Sequence, residues 1–314
     1  MQQAATDAAR LPKGFTAPPI PRRNPARKPD WLVAYLFLAP AAAVFAAFIA
    51  YPLVDGILTS FTDQMVGKAG AYVGLANFTR LLGDAHFQRA AANSLFLTTG
   101  VVAVKLVLGL ACAVLLAQKM PARGLIRALV FLPWAVPGLI AGLSWKWIFD
   151  EQAGVLSYLV MALGITDQPV YWLSDPRIAM LSIGVAMVWH GLPFFTMMFL
   201  AALTAIPGDL TEAAAIDGAG PIQRFFKVTL PQMKEVIFVT VMLSAIWTFN
   251  SFHMVFILTG GGPAMRTHIL PTLAYDYGIT QSQLGLGAAV LVSVIPVFVV
   301  LIVLLTRRML ASKN

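Results

Sequence analysis

EAAAIDGAGPIQRFFKVTLP, running from Glu212 to Pro231, places Glu212, Asp217, Arg224 and Lys227 within twenty residues and interrupts them with Gly218 and Gly220. On either side the chain is almost uncharged and apolar. A plain connection between two apolar segments could be far shorter. Read locally, Pro207-Gly208-Asp209 offers Asp209 as an N-cap, and LTEAAAI (210–216) is a short run of strong helix formers. Gly218 is placed to stop that helix in the left-handed conformation, and Pro221 suits the first position of a second one. In PIQRFFKVTL (221–230), Ile222, Phe225, Phe226 and Thr229 gather on one side, with Arg224 and Lys227 turned to another. Pro231 then restarts the chain. The stretch reads as a helix–turn–helix elbow.

What surrounds the elbow decides the class. The 314 residues are 59% hydrophobic and only 11% charged, against about 25% charged in soluble domains. The apolar residues lie in blocks long enough to cross a hydrocarbon core of about 30 Å. Segments 31–58, 91–117, 125–148, 178–203, 235–258 and 285–306 read as six spans, so the expected fold is an all-α integral membrane protein. The run 154–163, GVLSYLVMAL, is too short to cross and reads as a helix lying at the outer interface. Residues 1–30, with six prolines and six basic residues, read as a disordered cytoplasmic arm ahead of a membrane domain over 31–314. The first apolar block is too long for the core of a cleaved signal peptide.

The net charge of +8 follows topology rather than nucleic-acid binding. With the N-terminus inside, fifteen of the 22 Lys and Arg residues fall on the inner face, among them Arg22, Arg23, Lys28, Arg123, Arg127 and Arg307. That is the positive-inside pattern, and it puts both termini and the elbow in the cytoplasm. The single Cys112 excludes a disulfide framework. An elbow with two adjacent aromatics and fixed charges suits docking into a groove of a soluble partner; resting on lipid headgroups is the other reading.

The run EAA at Glu212, Ala213 and Ala214, then DGA at Asp217 to Ala219, then Phe226 and Leu230-Pro231, resembles the EAA loop of binding-protein-dependent ABC importer permeases. WHGLPF (Trp189 to Phe194), AIPGDL (Ala205 to Leu210), LTGGGP (Leu258 to Pro263) and Asn93-Ser94 resemble the carbohydrate branch, the maltose and glycerol-phosphate permeases. Val228, where Ile is commoner, and Glu235, where many relatives have proline, are departures. The resemblance covers roughly 31–310 and implies a permease subunit forming half of a pathway in a bacterial or archaeal cytoplasmic membrane. It implies three partners: a second permease subunit, making a heterodimer, a cytoplasmic ATPase dimer and an extracytoplasmic solute-binding protein. Glu212, Ala213, Ala214, Asp217, Gly218, Arg224, Phe225, Phe226 and Pro231 would then form the coupling surface. The chain has no G-x-x-x-x-G-K-[ST], so ATP and magnesium would belong to the partner ATPase, and the chain is not expected to be an enzyme.

Neutral sugars are held by amides, hydroxyls and flat apolar faces. WTFNSFH (Trp247 to His253) supplies such a cluster inside a span; interhelical hydrogen bonding is the alternative use of its polar groups. The resemblance implies sugar contacts at Trp247, Thr248, Asn250 and Ser251, with Gly191 and Phe194 from the fourth span. Maltose itself is disfavoured by Thr248 and Ser251, where the maltose type is rich in amides. Polyols and glycerol phosphate remain open. Lys105, mid-span in VVAVKLVLGL, reads either as a structural lysine facing a neighbouring helix or as a contact for an anionic substrate. His190 and His253 have no companions at metal-ligand spacing, so no metal is expected. Gly260-Gly261-Gly262 reads as a tight turn that another backbone approaches. An ion-coupled carrier fits poorly, because Asp55 and Glu235 are the only acids in the spans and both lie near helix ends. A non-transporting scaffold is the remaining alternative.

Overall fold

Proline and glycine decide where the apolar segments break. The computed structural model describes residues 30–118 and 120–311, so the arm expected over 1–30 lies, except for Asp30, outside the described residues. Two compact units divide at Val54. The described part of the first belongs to helix α1 (Trp31–Thr59), 29 residues and apolar throughout. At 1.5 Å per residue it is about 44 Å long, more than a hydrocarbon core requires. Its ladder widens into a π turn over Ala46–Ala50, where Tyr51 N–H donates to the Ala46 carbonyl, and Pro52 follows. Proline cannot donate and crowds the carbonyl four residues before it, so one wide turn carries the helix past it. The same device recurs at Phe225–Thr229, where Leu230 N–H donates to the Phe225 carbonyl just ahead of Pro231.

The second unit contains α2 (Ala76–Leu82), α3 (Ala85–Ala117), α4 (Arg123–Ala135), α5 (Gly138–Ile148), α6 (Val155–Ala162) and α7 (Ala179–Ala205). It continues with α8 (Gly208–Ile216), α9 (Pro221–Gln232), α10 (Lys234–Phe249), α11 (Phe252–Thr259), α12 (Leu270–Tyr275), α13 (Leu284–Val292) and α14 (Ile295–Ala311). Among the described residues the only β pairing is two isolated bridges, Thr62 with Tyr72 and Met65 with Lys68. The all-α reading holds.

The spans are less regular than the apolar segments suggest. Among the described residues only α1, α3 and α7 are each long and apolar enough to cross alone. Segment 125–148, read as one span, is two helices bent by 98° between Ala135 and Gly138, because Pro133 and Pro137 leave Val136 extended. Segment 235–258 breaks at Asn250-Ser251, between α10 and α11, and 285–306 breaks at Ser293-Val294. The second span begins at Ala85, six residues before its expected start, since the Asp84 side chain accepts the His86 N–H at 2.8 Å as an N-cap. Run 154–163 does form a short helix, α6. At eight residues it is about 12 Å long and cannot cross.

α3 and α7 form the centre. Gly109 lets them touch: a Cβ there would lie 2.5 Å from the Phe195 Cβ. Around this approach Val102, Ala113, Leu116, Phe195, Phe199 and Met233 form one core cluster. A second joins Leu97 and Val101 to Ile183, Ala186, Met254 and Val255. Buried apolar area of this kind fixes which helix faces meet.

At the end opposite the elbow the loops are tightly hydrogen-bonded rather than merely wet. Asn77 donates to the Ser60 and Thr62 carbonyls, and Gly285 N–H reaches the Gln64 carbonyl at 3.0 Å. Asn93 donates to the carbonyls of Arg266 and His268 at 2.8 and 2.9 Å, and Ser94 Oγ accepts the Leu270 N–H. These two residues therefore clamp the segment that follows the LTGGGP turn. The turn is approached by backbone, since Thr267 N–H donates to the Gly261 carbonyl at 3.0 Å, and also by a ring: a Cβ on Gly261 would sit 2.1 Å from His268 Cε1. Gly261 also has φ +91°, which costs an L-residue roughly 1–2 kcal/mol. Gly261→Ala should therefore lower the thermal midpoint of the purified protein by several degrees, whereas Gly124→Ala, in open space, should not.

Asp84 and Tyr277 tie this end together through a short hydrogen bond, phenol to carboxylate. Burial pushes the Asp84 carboxyl up, but the hydrogen bonds from Tyr277 and from the His86 and Phe87 N–H groups outweigh it and hold the carboxyl below its usual range. A carboxylate depressed on folding stabilises above its unfolded value of about 3.9 and loses that contribution as pH falls through the lower folded value. The thermal midpoint should therefore hold its Asp84 contribution from pH 7 to 5 and lose it in the acid limb. Asp84→Asn should remove that part of the acid dependence.

Candidate functional site

Two features carry the chemistry, a cavity among the helices and the elbow at one end. The cavity forms where α10 gives way to α11. Asn250 and Ser251 interrupt the ladder there, and the freed end of α11 turns Ser251, His253 and Met254 toward α7. A space of about 180 Å³ results, lined by Lys105, Trp134, Met187, His190, Gly191, Phe194, Ser244, Trp247, Thr248, Ser251, His253 and Met254. Five of the six expected substrate residues meet in it: Gly191, Phe194, Trp247, Thr248 and Ser251. Asn250 does not. Its side-chain amide turns back to the Ile246 carbonyl at 2.9 Å, closing the last turn of α10.

Phe194 and Trp247 face each other with ring centroids 5.0 Å apart and planes at 59°. This is an apolar wall of the kind that accepts the C–H face of a sugar. Thr248 and Ser251 are buried and supply hydroxyls. Gly191 has a different local role from the one expected: a Cβ there would lie 2.5 Å from Lys105 Nζ, so the glycine makes room for the lysine. Lys105 is 6% exposed and donates to Thr248 Oγ1 at 3.4 Å. It therefore runs from α3 across α7 to α10.

The break between α4 and α5 also feeds the cavity. It frees the Val136 carbonyl, which pairs with His190 Nε2 at 3.1 Å, and it brings Gly138 against the His253 ring. His190 and His253 thus brace a broken helix and line the cavity. No group of three or more metal-ligating side chains forms among the described residues. Trp134, Met187, Ser244 and Met254 line the cavity without being singled out by the sequence. For Trp134 the signal was present, since LPWAVPG brackets it with two prolines and a glycine.

The elbow follows from its caps. α8 begins after Pro207, which occupies the N-cap position, and Asp209 lies one position inside the helix, with no side-chain cap bond. Proline before Gly208 sets the extended entry and displaces the expected aspartate cap. The helix ends in a full Schellman motif: Ala219 N–H donates to the Ala214 carbonyl at 3.0 Å and Gly218 N–H to the Ala215 carbonyl at 3.1 Å. Gly218 has φ +82°. Gly220 then caps α9, with Pro221 at its first position. α9 runs through Pro231 to Gln232 before bending 68° into α10, so the restart comes at Lys234, three residues after the proline.

The expected coupling residues split between surfaces. Ala214, Asp217 and Gly218 line a notch of about 240 Å³ between the two short helices, together with Lys227. Phe225, Phe226 and Pro231 line an apolar groove of about 1120 Å³ along α3. The two phenylalanines meet edge to face, centroids 5.2 Å apart. Glu212 and Ala213 are exposed on α8, and Ile216, Ile222 and Phe226 present large exposed apolar faces. Arg224 is half-buried, and its Nε has no partner among the described residues.

The chain as a whole is similar to known proteins. The model of the family described as binding-protein-dependent transport system inner membrane component matches residues 105–311. The trehalose/maltose transport system permease protein MalF of Thermococcus litoralis is 35% identical over 257 residues, covering 82% of this chain and 86% of the relative. The sulfoquinovosyl glycerol transport system permease protein SmoG of Agrobacterium fabrum is 33% identical, covering 84% and 85%. The diacetylchitobiose uptake system permease protein DasB of Streptomyces coelicolor is 32% identical, covering 86% and 84%. Among solved structures, a bacterial ABC transporter involved in import of the acidic polysaccharide alginate overlays with a TM-score of 0.78 at 21% identity, covering 89% of this chain and 95% of that one. At that identity the likeness is one of fold.

Proposed function

Because this chain belongs to the binding-protein-dependent transport system inner membrane components, we propose that it forms half of the pathway of an ABC importer for a sugar or sugar-like solute. The observation that carries the reading is the cavity at the α10–α11 break, which gathers an aromatic wall and buried hydroxyls from three helices. Curated relatives named for trehalose/maltose, sulfoquinovosyl glycerol and diacetylchitobiose transport support the solute class.

In this reading an extracytoplasmic binding protein delivers the solute at the end bearing the LTGGGP turn. A second, similar permease subunit completes the pathway, and an ATPase dimer that holds ATP and magnesium seats the elbow on the cytoplasmic side. The chain performs no hydrolysis itself. Closure of the ATPase dimer pushes α8 and α9, and the push passes through Met233 into α10, whose far end is the cavity wall. Met233 is 1% exposed and packs in the same core cluster as Phe195 and Phe199. Such a connection lets one two-state element be biased from both ends. The six-span topology with both termini inside completes the reading, with α4–α5 and α10–α11 as broken spans. Breaks of this kind are tolerated where they line a cavity.

The reading is tested by a thermal-shift ligand screen on the cognate binding protein, followed by uptake into proteoliposomes holding the assembled complex. A shift with a sugar, and ATP-dependent uptake of that sugar, are expected. A binding protein that responds only to amino acids or metal ions would contradict the solute class.

A further inference from the structure

From the make-up of the cavity we infer that the solute carries an anionic group, a carboxylate, sulfonate or phosphate on the sugar or polyol, and that Lys105 is its counter-ion. This deepens the proposed function and rests on it.

Three observations converge. Lys105 is buried in a span, and the only hydrogen bond it makes among the described residues is the 3.4 Å contact with Thr248 Oγ1. An ammonium has three donors, and a buried charge without a counter-charge is costly. Second, the cavity lining contains Lys105, His190 and His253 but no aspartate or glutamate. Among the described residues the ion-pair distance is met by Arg177 and Asp175 alone, far along the chain from this site. Third, the break at Asn250-Ser251 starts α11 at the cavity wall, and Ser251, its N-cap, makes no side-chain cap bond. The Phe252 N–H is taken by the Asn250 carbonyl at 2.7 Å, but the next N–H groups of the first turn have no partner within the helix and carry partial positive charge, so a broken span presenting that end to a cavity favours an anion.

The geometry also shows why the lysine reaches the cavity. Gly191 removes the side chain that would occupy the path of the Lys105 stem, since a Cβ at 191 would lie 2.6 Å from Cε and 3.3 Å from Cδ. A structural lysine serving only to pair helices would need an acid or a free carbonyl at its tip. Here the tip meets one hydroxyl and open space. The aromatic wall of Phe194 and Trp247 can hold the ring face of the same solute.

The experiment uses matched probes: glucuronate against glucose, galacturonate against galactose, and glycerol 3-phosphate against glycerol. Each is tested first for thermal stabilisation of the cognate binding protein and then for uptake by the reconstituted complex. The acidic member of one pair is expected to be bound and imported. Lys105→Met should cut that uptake at least 30-fold while the protein remains in the membrane, and Lys105→Arg should retain more of it. Thr248→Val, which removes the hydroxyl holding Nζ, should raise KM for the acidic solute, and it serves if Lys105→Met does not accumulate. Import of a neutral sugar with Lys105→Met at wild-type rate would overturn the anion assignment and leave the importer reading standing. A binding protein that responds only to neutral sugars, disaccharides included, would likewise overturn the anion assignment alone, whereas one that responds only to amino acids or metal ions would sink the proposed solute class and the anion assignment with it.

Discussion

Gly218→Asp should abolish solute uptake while leaving the amount of protein in the membrane within about twofold of wild type. The two halves of this expectation have separate causes. A Cβ at Gly218 meets nothing within 4 Å, so the substitution creates no clash within the chain. Its φ of +82° lies in the region that aspartate tolerates better than most residues, so the folding cost is small. What changes is the notch that Gly218 shares with Ala214 and Asp217, where a second acid would add charge and bulk to the surface offered to the ATPase. Gly218→Val adds backbone strain and should be at least as severe. Glu212→Lys tests the neighbouring surface. Glu212 is exposed and makes no side-chain hydrogen bond among the described residues, so reversing its charge should also stop uptake without unfolding the protein. Measured together, membrane content and uptake rate separate a coupling defect from a folding defect.

Trp247→Ala should raise the KM for uptake by about tenfold or more, with ATPase coupling retained. An aromatic wall contributes about 0.5–1.5 kcal/mol beyond its area burial, and Trp247 supplies the larger ring of the pair with Phe194. It is half exposed, at 54%, so truncation opens little core and costs little stability. Phe194 is more deeply set, touching both Trp247 and Phe195. Phe194→Ala should therefore lose both uptake and stability. Because the two rings touch, the double variant should cost less than the sum of the singles. If Trp247→Ala leaves KM unchanged for the transported solute, the aromatic wall is not part of the path.

Much of this fold was legible because its decisive features are local. The elbow could be read from glycine and proline spacing alone: Gly218 ends one helix in a Schellman turn and Pro221 begins the next, and both are satisfied by neighbours within six residues. The all-helical membrane class follows from composition, which no tertiary contact can alter. The breaks were harder to read. LPWAVPG reads as the interior of a span because its apolar character continues across Pro137, and the 98° bend is made possible by His190, which lies 54 residues away and satisfies the freed Val136 carbonyl. Asn250 looked like a sugar ligand beside Thr248 and Ser251. Residues one and two positions apart on a helix point in different directions, and Asn250 instead closes the turn. The role of Asn93 and Ser94 as a clamp on residues 266–270 could not be seen, since the contact spans more than 170 positions. Gly191 was identified, but the reason for it, the stem of Lys105, belongs to another helix.

In the proposed function this chain couples ATP hydrolysis on a partner to movement of a delivered solute through its helices. The direct measurement is uptake of the identified solute into proteoliposomes containing this chain, its second permease subunit and the ATPase, with binding protein and ATP added or withheld in turn. Uptake should require ATP and binding protein together, and it should vanish with Gly218→Asp in vesicles of equal protein content. Uptake driven by a proton gradient alone, without ATP or binding protein and unaffected by the Gly218 substitution, would contradict the account.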